Sequence, residues 1–296
     1  MSFRAALALL AAACWLQPSL SNASELGQRL AAVAYRILAS NTDMCGADKH
    51  SVLGIEASFA GAGGGSDGKA YLTVVSATPG APAARSGIRA GDRITEVNGE
   101  ALPPGPDGLR LLLHRLDDEG VGALKLGVER GGAAEHVIVQ AVPACSYDVV
   151  LVDDDREEAM SQEQRVMLTK GLVAWLANDD DLATVVGHEI AHIAAGHTRS
   201  DPGISADEAE AEADYLGIYL ATRAGYDVSR AADLLKRTAA RLATEGAQAA
   251  PSSIALRLRA IEAALDEIRR AGTAAAPPQA LLRALHGWRR PSGSLG

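Results

Sequence analysis

The feature that most constrains this chain is the short segment His188-Glu-Ile-Ala-His192. Residues four apart lie on the same face of a helix, so a helix here turns both imidazoles toward one point, with Glu189 beside them. Two histidine nitrogens are typical ligands of a tetrahedral zinc ion, and the neighbouring glutamate is placed to act as a base. The sequence therefore predicts one Zn²⁺ per chain and attack of an activated water on an amide bond.

The residues around this segment predict the helix that it needs. Asn178 and the acidic run Asp179 to Asp181 are typical of a helix start, where negative charge meets the positive end of the dipole. Gly196 marks the predicted end. Apolar residues recur with helical periodicity at Leu182, Val185, Val186, Ile190 and Ile193.

Two histidines do not complete a zinc site. A third histidine at the spacing HExxHxxGxxH would fall at position 198, which is Thr198, and position 195 is Ala195 instead of glycine. This favours a carboxylate as the third ligand.

The predicted source of that carboxylate is an acidic segment on the next helix, which begins with a capping box at Ser205. Glu208 and Glu210 each have a second acidic residue one turn later, Glu212 and Asp214, so either pair supplies a ligand and a supporting carboxylate. Spacing alone leaves both open. The alternative is that the whole acidic cluster is a solvated helix face.

The patterns HEIAHIAAGH at 188–197 and EAEADYLGIYLATRAGYD at 210–227 closely resemble the HtpX/CAAX-prenyl-protease family of gluzincin metallopeptidases. That family carries HExxH on one helix and ExxxD on the next. The resemblance implies a set of roles for this chain: zinc ligands His188, His192 and Glu210, catalytic base Glu189, and Asp214 in support of the site.

The resemblance fails at one position, because Ala250 stands where family members carry a histidine before Pro251. The residue that stabilises the oxyanion is left open among Tyr215, Arg257 and His197. The segment 164–169 is predicted to be a strand. In the family this strand lines the cleft, where an edge strand would bind an extended peptide through main-chain hydrogen bonds. The alternative is an ordinary strand inside the sheet.

A second unit is predicted between about Lys49 and Pro143, most clearly at APAARSGIRAGDRITEVNG, residues 81–99. It resembles a PDZ domain of the bacterial protease type. The resemblance implies that a peptide adds as a strand and that its free carboxylate meets the loop at Leu53, Gly54 and Ile55. In the alternative, this domain only orients the peptidase.

The first residues predict export. Arg4, a short apolar run and a small-residue site ending at Ala23 are typical of a cleaved signal peptide, which indicates a periplasmic or secreted protein. The alternative is a lipoprotein anchored through Cys14. Membrane association is expected only if Cys14 carries such a lipid. The formal net charge of −9 gives no reason to expect nucleic acid as a partner.

Cleavage would leave two cysteines, Cys45 and Cys145, on either side of the PDZ-like unit. An oxidising compartment favours a disulfide between them.

The predicted fold class is α+β: a mainly helical zincin-type metallopeptidase domain with a small sheet, plus a β-rich PDZ domain. The predicted boundaries, in order, are a signal peptide at 1–23, an N-terminal helix packing on the peptidase at 24–46, the PDZ domain at 47–146, the zinc metallopeptidase domain at 147–272, and a C-terminal tail at 273–296.

The predicted function is that of an exported zinc endopeptidase that cleaves misfolded envelope proteins, with substrate C-termini or extended segments held by the PDZ domain. Its partners are then protein and peptide substrates. The alternative is a PDZ-containing adaptor or assembly chaperone whose zinc site is weakly active or structural.

Overall fold

A computed structural model describes residues 24–45, 48–59, 70–198, 203–244 and 251–271. The predicted signal peptide, Cys14, Ala250 and the predicted tail 273–296 lie outside the described residues. The chain divides into two compact units, one formed by residues 1–35, 47–146 and 150–154 and the other by residues 36–46, 147–149 and 155–296.

The described helices are α1 (Glu25–Ser40), α2 (Pro82–Arg85), α3 (Pro106–Glu119), α4 (Lys170–Trp175), α5 (Asp179–Ala194), α6 (Ala206–Arg223), α7 (Ala231–Thr244) and α8 (Pro251–Ala271). The described strands are β1 (Lys49–Val52), β2 (Ile55–Ser58), β3 (Thr73–Ala77), β4 (Arg93–Val97), β5 (Glu100–Ala101), β6 (Ala123–Arg130), β7 (Ala133–Gln140), β8 (Val142–Cys145), β9 (Asp148–Val152), β10 (Ala159–Gln162) and β11 (Arg165–Thr169). None of these described helices has the length and apolar character needed to cross a membrane. Helices together with sheets agree with the predicted α+β class.

The first unit is built on an antiparallel sheet in the order β2-β3-β4-β6-β7, with β5 paired to β4. Buried and less buried side chains alternate along β3, as a half-buried strand requires. The strand β2 is an edge of this sheet, so one side of its backbone has no neighbouring strand within it. The core of the unit is formed by Leu72, Val74, Ile94, Val97, Leu112, Leu116, Leu124, Leu126, Val128 and Val139.

The predicted disulfide between Cys45 and Cys145 is confirmed. Both cysteines are buried. Cys145 ends β8, where it lies opposite Lys49 in the antiparallel pair that β8 makes with β1.

The strands β10 and β11 of the second unit belong to a three-stranded sheet in the order β10-β11-β9. The strand predicted at 164–169 is present as β11. It is the central strand of this sheet, as in the alternative of an ordinary sheet strand, so it is not the edge that could pair with a peptide. The strand β9, for which the sequence carries no clear signal, pairs with the second side of β11. The edge strand next to the HExxH helix is β10.

Local sequence explains where the two central helices begin. The side chain of Asn178 accepts a hydrogen bond from the N–H of Asp181 at 2.8 Å and caps α5. Ser205 and Glu208 form the predicted capping box of α6, with reciprocal bonds of 3.3 Å and 2.9 Å between side chain and backbone.

Candidate metal centre

Three side chains from α5 and α6 converge at one point. The Nε2 atoms of His188 and His192 lie 3.1 Å apart, one helical turn from each other on α5. From α6, the two carboxylate oxygens of Glu210 each lie 3.5 Å from one of these nitrogens. Among the described residues, these three form the cluster of metal-ligating groups that the structure brings together.

The residues fit a zinc ion by donor type and by spacing. Two ligands bonded to one tetrahedral Zn²⁺ at 2.0–2.1 Å lie roughly 3.3 Å apart. The three pairwise distances, 3.1, 3.5 and 3.5 Å, are close to that separation. Two imidazoles and one carboxylate are also a ligand set known from catalytic zinc sites. The geometry therefore agrees with the ligand set that the resemblance implied, while the metal itself stays a prediction.

Asp214 and Arg257 contact the residues of this cluster and hold them in position. The Oδ1 atom of Asp214 lies 2.9 Å from Nδ1 of His188, so that ring presents Nε2 to the cluster. Arg257 on α8 donates to Asp214 at 2.6 Å and 3.0 Å and contacts Glu210 at 2.9 Å. The guanidinium of Arg257 thus fixes the carboxylates of Asp214 and Glu210 relative to each other.

These contacts also shift the pKa values of the two histidines in opposite directions. Burial by itself lowers the pKa of His188, but the carboxylates of Asp214 and Glu210 outweigh it and raise the pKa to about 10. Burial and the neighbouring charge of His188 lower the pKa of His192 to about 3. Burial alone would raise the pKa of Glu210, but His188 and Arg257 hold it below its usual value. Without a metal, His192 is therefore neutral, whereas His188 carries an extra proton that it has to lose when it binds a metal.

Glu189 lies beside the cluster and is 8% exposed. Burial raises the pKa of its carboxyl, assisted by the charge of Glu210 and opposed by His188, a hydrogen bond from Ser161 and Arg257. Ser161 belongs to the edge strand β10. No motif in the sequence predicts this contact, because Ser161 stands in a short strand far from the HExxH segment along the chain.

The other predicted residues of this region lie elsewhere. Glu208, which spacing left open as a ligand, caps α6 through Ser205. Glu212 contacts His197 at 3.2 Å instead of the cluster. Of the three residues considered for the oxyanion, Tyr215 donates to Glu267 at 2.7 Å and is 4% exposed.

The PDZ-like unit places Leu53, Gly54 and Ile55 at the entry to β2. The carbonyl of Leu53 accepts from the N–H of Ala83 at 2.9 Å, and that of Gly54 accepts from Thr78 at 2.8 Å. Within the part of the chain that the structure describes, the N–H groups of Leu53 and Gly54 have no acceptor. Two adjacent backbone donors next to an edge strand are the groups that capture a peptide carboxylate.

An apolar row continues from this loop along β2. Ile55, Ala57 and Phe59 alternate along the chain and pack only partly buried against the core of the unit, together with Leu109 of α3. Alternate positions of a strand share one face. This face is apolar and accessible beside the free edge of β2.

A HExxH helix packed against an acidic helix, with two histidines and one glutamate at zinc-ligand spacing, defines a metallopeptidase-like centre. Comparison with known families agrees. The sequence model of peptidase family M48 matches residues 133–206, which include His188, Glu189 and His192, and a PDZ domain model matches residues 73–112. The resemblance predicted from the motifs is thereby confirmed: one segment of the chain matches peptidase family M48 and another matches a PDZ domain.

No match was found among curated proteins. Among solved structures, the chain is similar to an HtrA-type protease, AlgW, with a decapeptide, at 20% identity and a TM-score of 0.27, over 32% of this chain and 30% of that one. It is similar to a serine endoprotease from Yersinia pestis at 19% identity and a TM-score of 0.26, over 33% and 30% of the two chains. It is also similar to an HtrA3 PDZ domain bound to a phage-derived ligand, at 21% identity and a TM-score of 0.26, over 32% and 88%. The chain spans less than a third of the length of the first two.

Proposed function

We propose that this protein is an exported zinc-dependent endopeptidase that cleaves misfolded envelope proteins, and that its PDZ domain binds substrate C-termini or extended segments. The observation that carries the proposal is the convergence of His188, His192 and Glu210 within 4.8 Å beside the buried carboxyl of Glu189. His188, His192 and Glu210 would hold the zinc ion.

Bound zinc supplies a Lewis acid that lowers the pKa of water and polarises a carbonyl group. The protein supplies the proton transfer. Glu189 is buried directly beside the proposed ligands, which places its carboxylate to act as the base. Glu189 takes a proton from the attacking water and later gives it to the leaving amine, and the hydrogen bond from Ser161 fixes its carboxylate between these two steps.

The edge strand β10 is the proposed binding surface for the substrate backbone. It is the outer strand of its sheet, and its Ser161 contacts Glu189. An extended peptide that pairs with such a strand gains main-chain hydrogen bonds without much preference for side chains. This agrees with a protease that acts on misfolded chains of varied sequence.

The PDZ unit is proposed to recruit the substrate by its end. The free N–H groups of Leu53 and Gly54 would bind the terminal carboxylate, and the apolar face of Ile55, Ala57 and Phe59 would bind alternate side chains. Peptides that end in a free carboxylate should therefore bind more tightly than their C-terminal amides.

The test is cleavage of casein by the purified secreted chain with and without phenanthroline. Fragments should form only without the chelator. Glu189→Gln should bind zinc as before but lower kcat/KM by about 10²–10⁴-fold, because it loses the base. The matched control is Glu262→Gln, which removes an exposed carboxylate on α8 and should leave activity unchanged. Equal turnover by the Glu189 variant would reject the assignment of the base.

One observation favours the alternative function, a PDZ adaptor or chaperone with a weakly active or structural zinc site. In this alternative, the contact of Arg257 with Glu210 at 2.9 Å draws the carboxylate away from the metal instead of holding it in place as a ligand. The same casein experiment separates the two functions: an adaptor binds C-terminal peptides and zinc but gives no chelator-sensitive fragments.

A further inference from the structure

His197 lies just beyond the end of α5 and turns back onto it. Gly196 has φ +77°, and the N–H of His197 donates to the carbonyl of His192 at 2.8 Å. A glycine with positive φ followed by such a bond is a Schellman motif. This turn brings the two rings together, with Nδ1 of His197 3.1 Å from Nδ1 of His192.

The other nitrogen of His197 meets a carboxylate. Its Nε2 atom lies 3.2 Å from Oε2 of Glu212 on α6, and these two side chains are only 4% and 6% exposed. The three residues thus form a buried row from Glu212 through His197 to His192. The row ends at the ring that presents Nε2 to the candidate metal centre.

The hydrogen-bonding roles along this row follow from the carboxylate. A carboxylate accepts hydrogen bonds, so Nε2 of His197 donates to Glu212. In a neutral imidazole the other nitrogen accepts, so Nδ1 of His197 accepts from Nδ1–H of His192. His192 is then left with a lone pair on Nε2, the atom that faces His188 and Glu210.

We infer that His197 and Glu212 are positioning residues for His192: they fix its ring orientation and its Nδ1–H tautomer, so that Nε2 is ready to bind a divalent metal. This inference rests on the proposed zinc-dependent function. A carboxylate then supports each histidine of the motif. Asp214 contacts His188 directly. Glu212 acts on His192 through His197, which lies between them. Both nitrogens of His197 are engaged, so it is not the oxyanion donor considered from the sequence.

The first test is zinc affinity, measured by competition with a chromophoric chelator on the purified chain. His197→Ala should weaken zinc binding by about 10–100-fold, the usual cost of losing such an outer partner. His197→Asn should retain more affinity than His197→Ala, because its amide oxygen can still accept from His192. The zinc affinity of Glu212→Gln should lie between that of the unaltered chain and that of His197→Ala. The matched control is Asp207→Asn, an exposed acidic residue on the same helix, which should bind zinc normally.

The second test needs no metal. In the chelator-treated chain, ¹⁵N NMR should show His192 protonated at Nδ1, and His197→Ala should shift it toward the Nε2–H tautomer. A role limited to packing would lower the thermal midpoint of the variants without changing that tautomer. If His197→Ala does not fold, the unaltered chain and His197→Asn still decide the question.

The outcomes separate the two proposals. An unaltered chain that shows Nε2–H at His192, or a His197→Ala chain with unchanged zinc affinity, overturns the positioning role alone. An unaltered chain that binds no zinc, or whose zinc binding survives His188→Ala, overturns the proposed function instead.

Discussion

Gly187 of α5 and Gly217 of α6 lie backbone against backbone. A Cβ atom placed on Gly217 would lie 2.7 Å from the backbone N of His188, and one placed on Gly187 would lie 2.7 Å from the carbonyl oxygen of Gly217. Both distances are shorter than any ordinary contact, so side chains at these positions would force the helices apart. This close approach brings Glu210 and Asp214 within reach of His188.

Replacement of Gly217 by alanine tests that relationship. Gly217→Ala should lower the free energy of unfolding by about 1–3 kcal/mol, as overpacking does, and should also weaken zinc binding, because α6 carries Glu210. Urea unfolding and chelator competition measure the two effects. The control is Gly132→Ala, where a Cβ meets nothing within 4 Å and only the strain of φ +83° remains. Zinc affinity unchanged in the Gly217 variant would show that the centre does not depend on this contact.

Asp214 should matter for zinc affinity more than for the fold of α6. Asp214→Asn keeps an oxygen that can accept from Nδ1 of His188 but loses the negative charge that pairs with Arg257. Zinc affinity should fall by about 10–100-fold. Circular dichroism should show unchanged helix content, and Asp207→Asn serves as the control. Retention of full affinity would mean that Arg257 and His188 are held in place without the charge of Asp214.

Much of this centre could be predicted from the sequence, because its ligands follow helical spacing. The distance from His188 to His192 is a property of any α-helix, and the capping box at Ser205 is local. The choice between Glu208 and Glu210 could not be made from spacing, since it depends on the rotation of α6 about its axis. That rotation is set by contacts such as Gly217 on Gly187, between residues far apart in the chain.

The contacts of single side chains were harder to predict than the elements. Arg257, Tyr215 and His197 were equal candidates for the oxyanion, yet each has a different partner in the structure. The position of β11 within its sheet could not be predicted either. It depends on the pairing of β11 with β9 and β10, and the pairing order of strands depends on the whole chain.

The PDZ unit should lose stability in acid through Asp92. Burial by itself raises the pKa of this carboxyl, but hydrogen bonds from Arg130 and from the N–H of Arg89 outweigh it and leave the pKa lowered. Asp92 is 1% exposed, and two of its contacts with Arg130 measure 2.7 Å and 2.6 Å. A lowered folded-state pKa stabilises the protein above the unfolded value of about 3.9, and this contribution is lost as the pH falls through the folded-state pKa.

Asp92→Asn should therefore lower the free energy of unfolding by about 1–3 kcal/mol at pH 7. The loss should become progressively smaller toward pH 2. Thermal midpoints of the two chains across this range measure the difference. The control is Asp107→Asn, an exposed acidic residue at the start of α3. A gap between the Asp92 variant and the unaltered chain that stays constant with pH would contradict the charged pair as its cause.

Gly54 should be essential for peptide binding at the PDZ unit. It has φ +73°, and a Cβ atom there would lie 2.2 Å from Cβ of Ala81, so alanine is excluded both by conformation and by contact. Gly54→Ala should move the backbone N–H groups of Leu53 and Gly54 out of line with a terminal carboxylate. The affinity for a fluorescent peptide ending in a free apolar residue should fall by at least about tenfold, the equivalent of 1.4 kcal/mol. Casein cleavage should be less affected than peptide binding, because the centre at His188 lies in the other unit. Gly132→Ala again controls for the strain of positive φ alone. If the Gly54 variant keeps its peptide affinity, the terminal carboxylate of the peptide does not bind at the loop of Leu53 and Gly54.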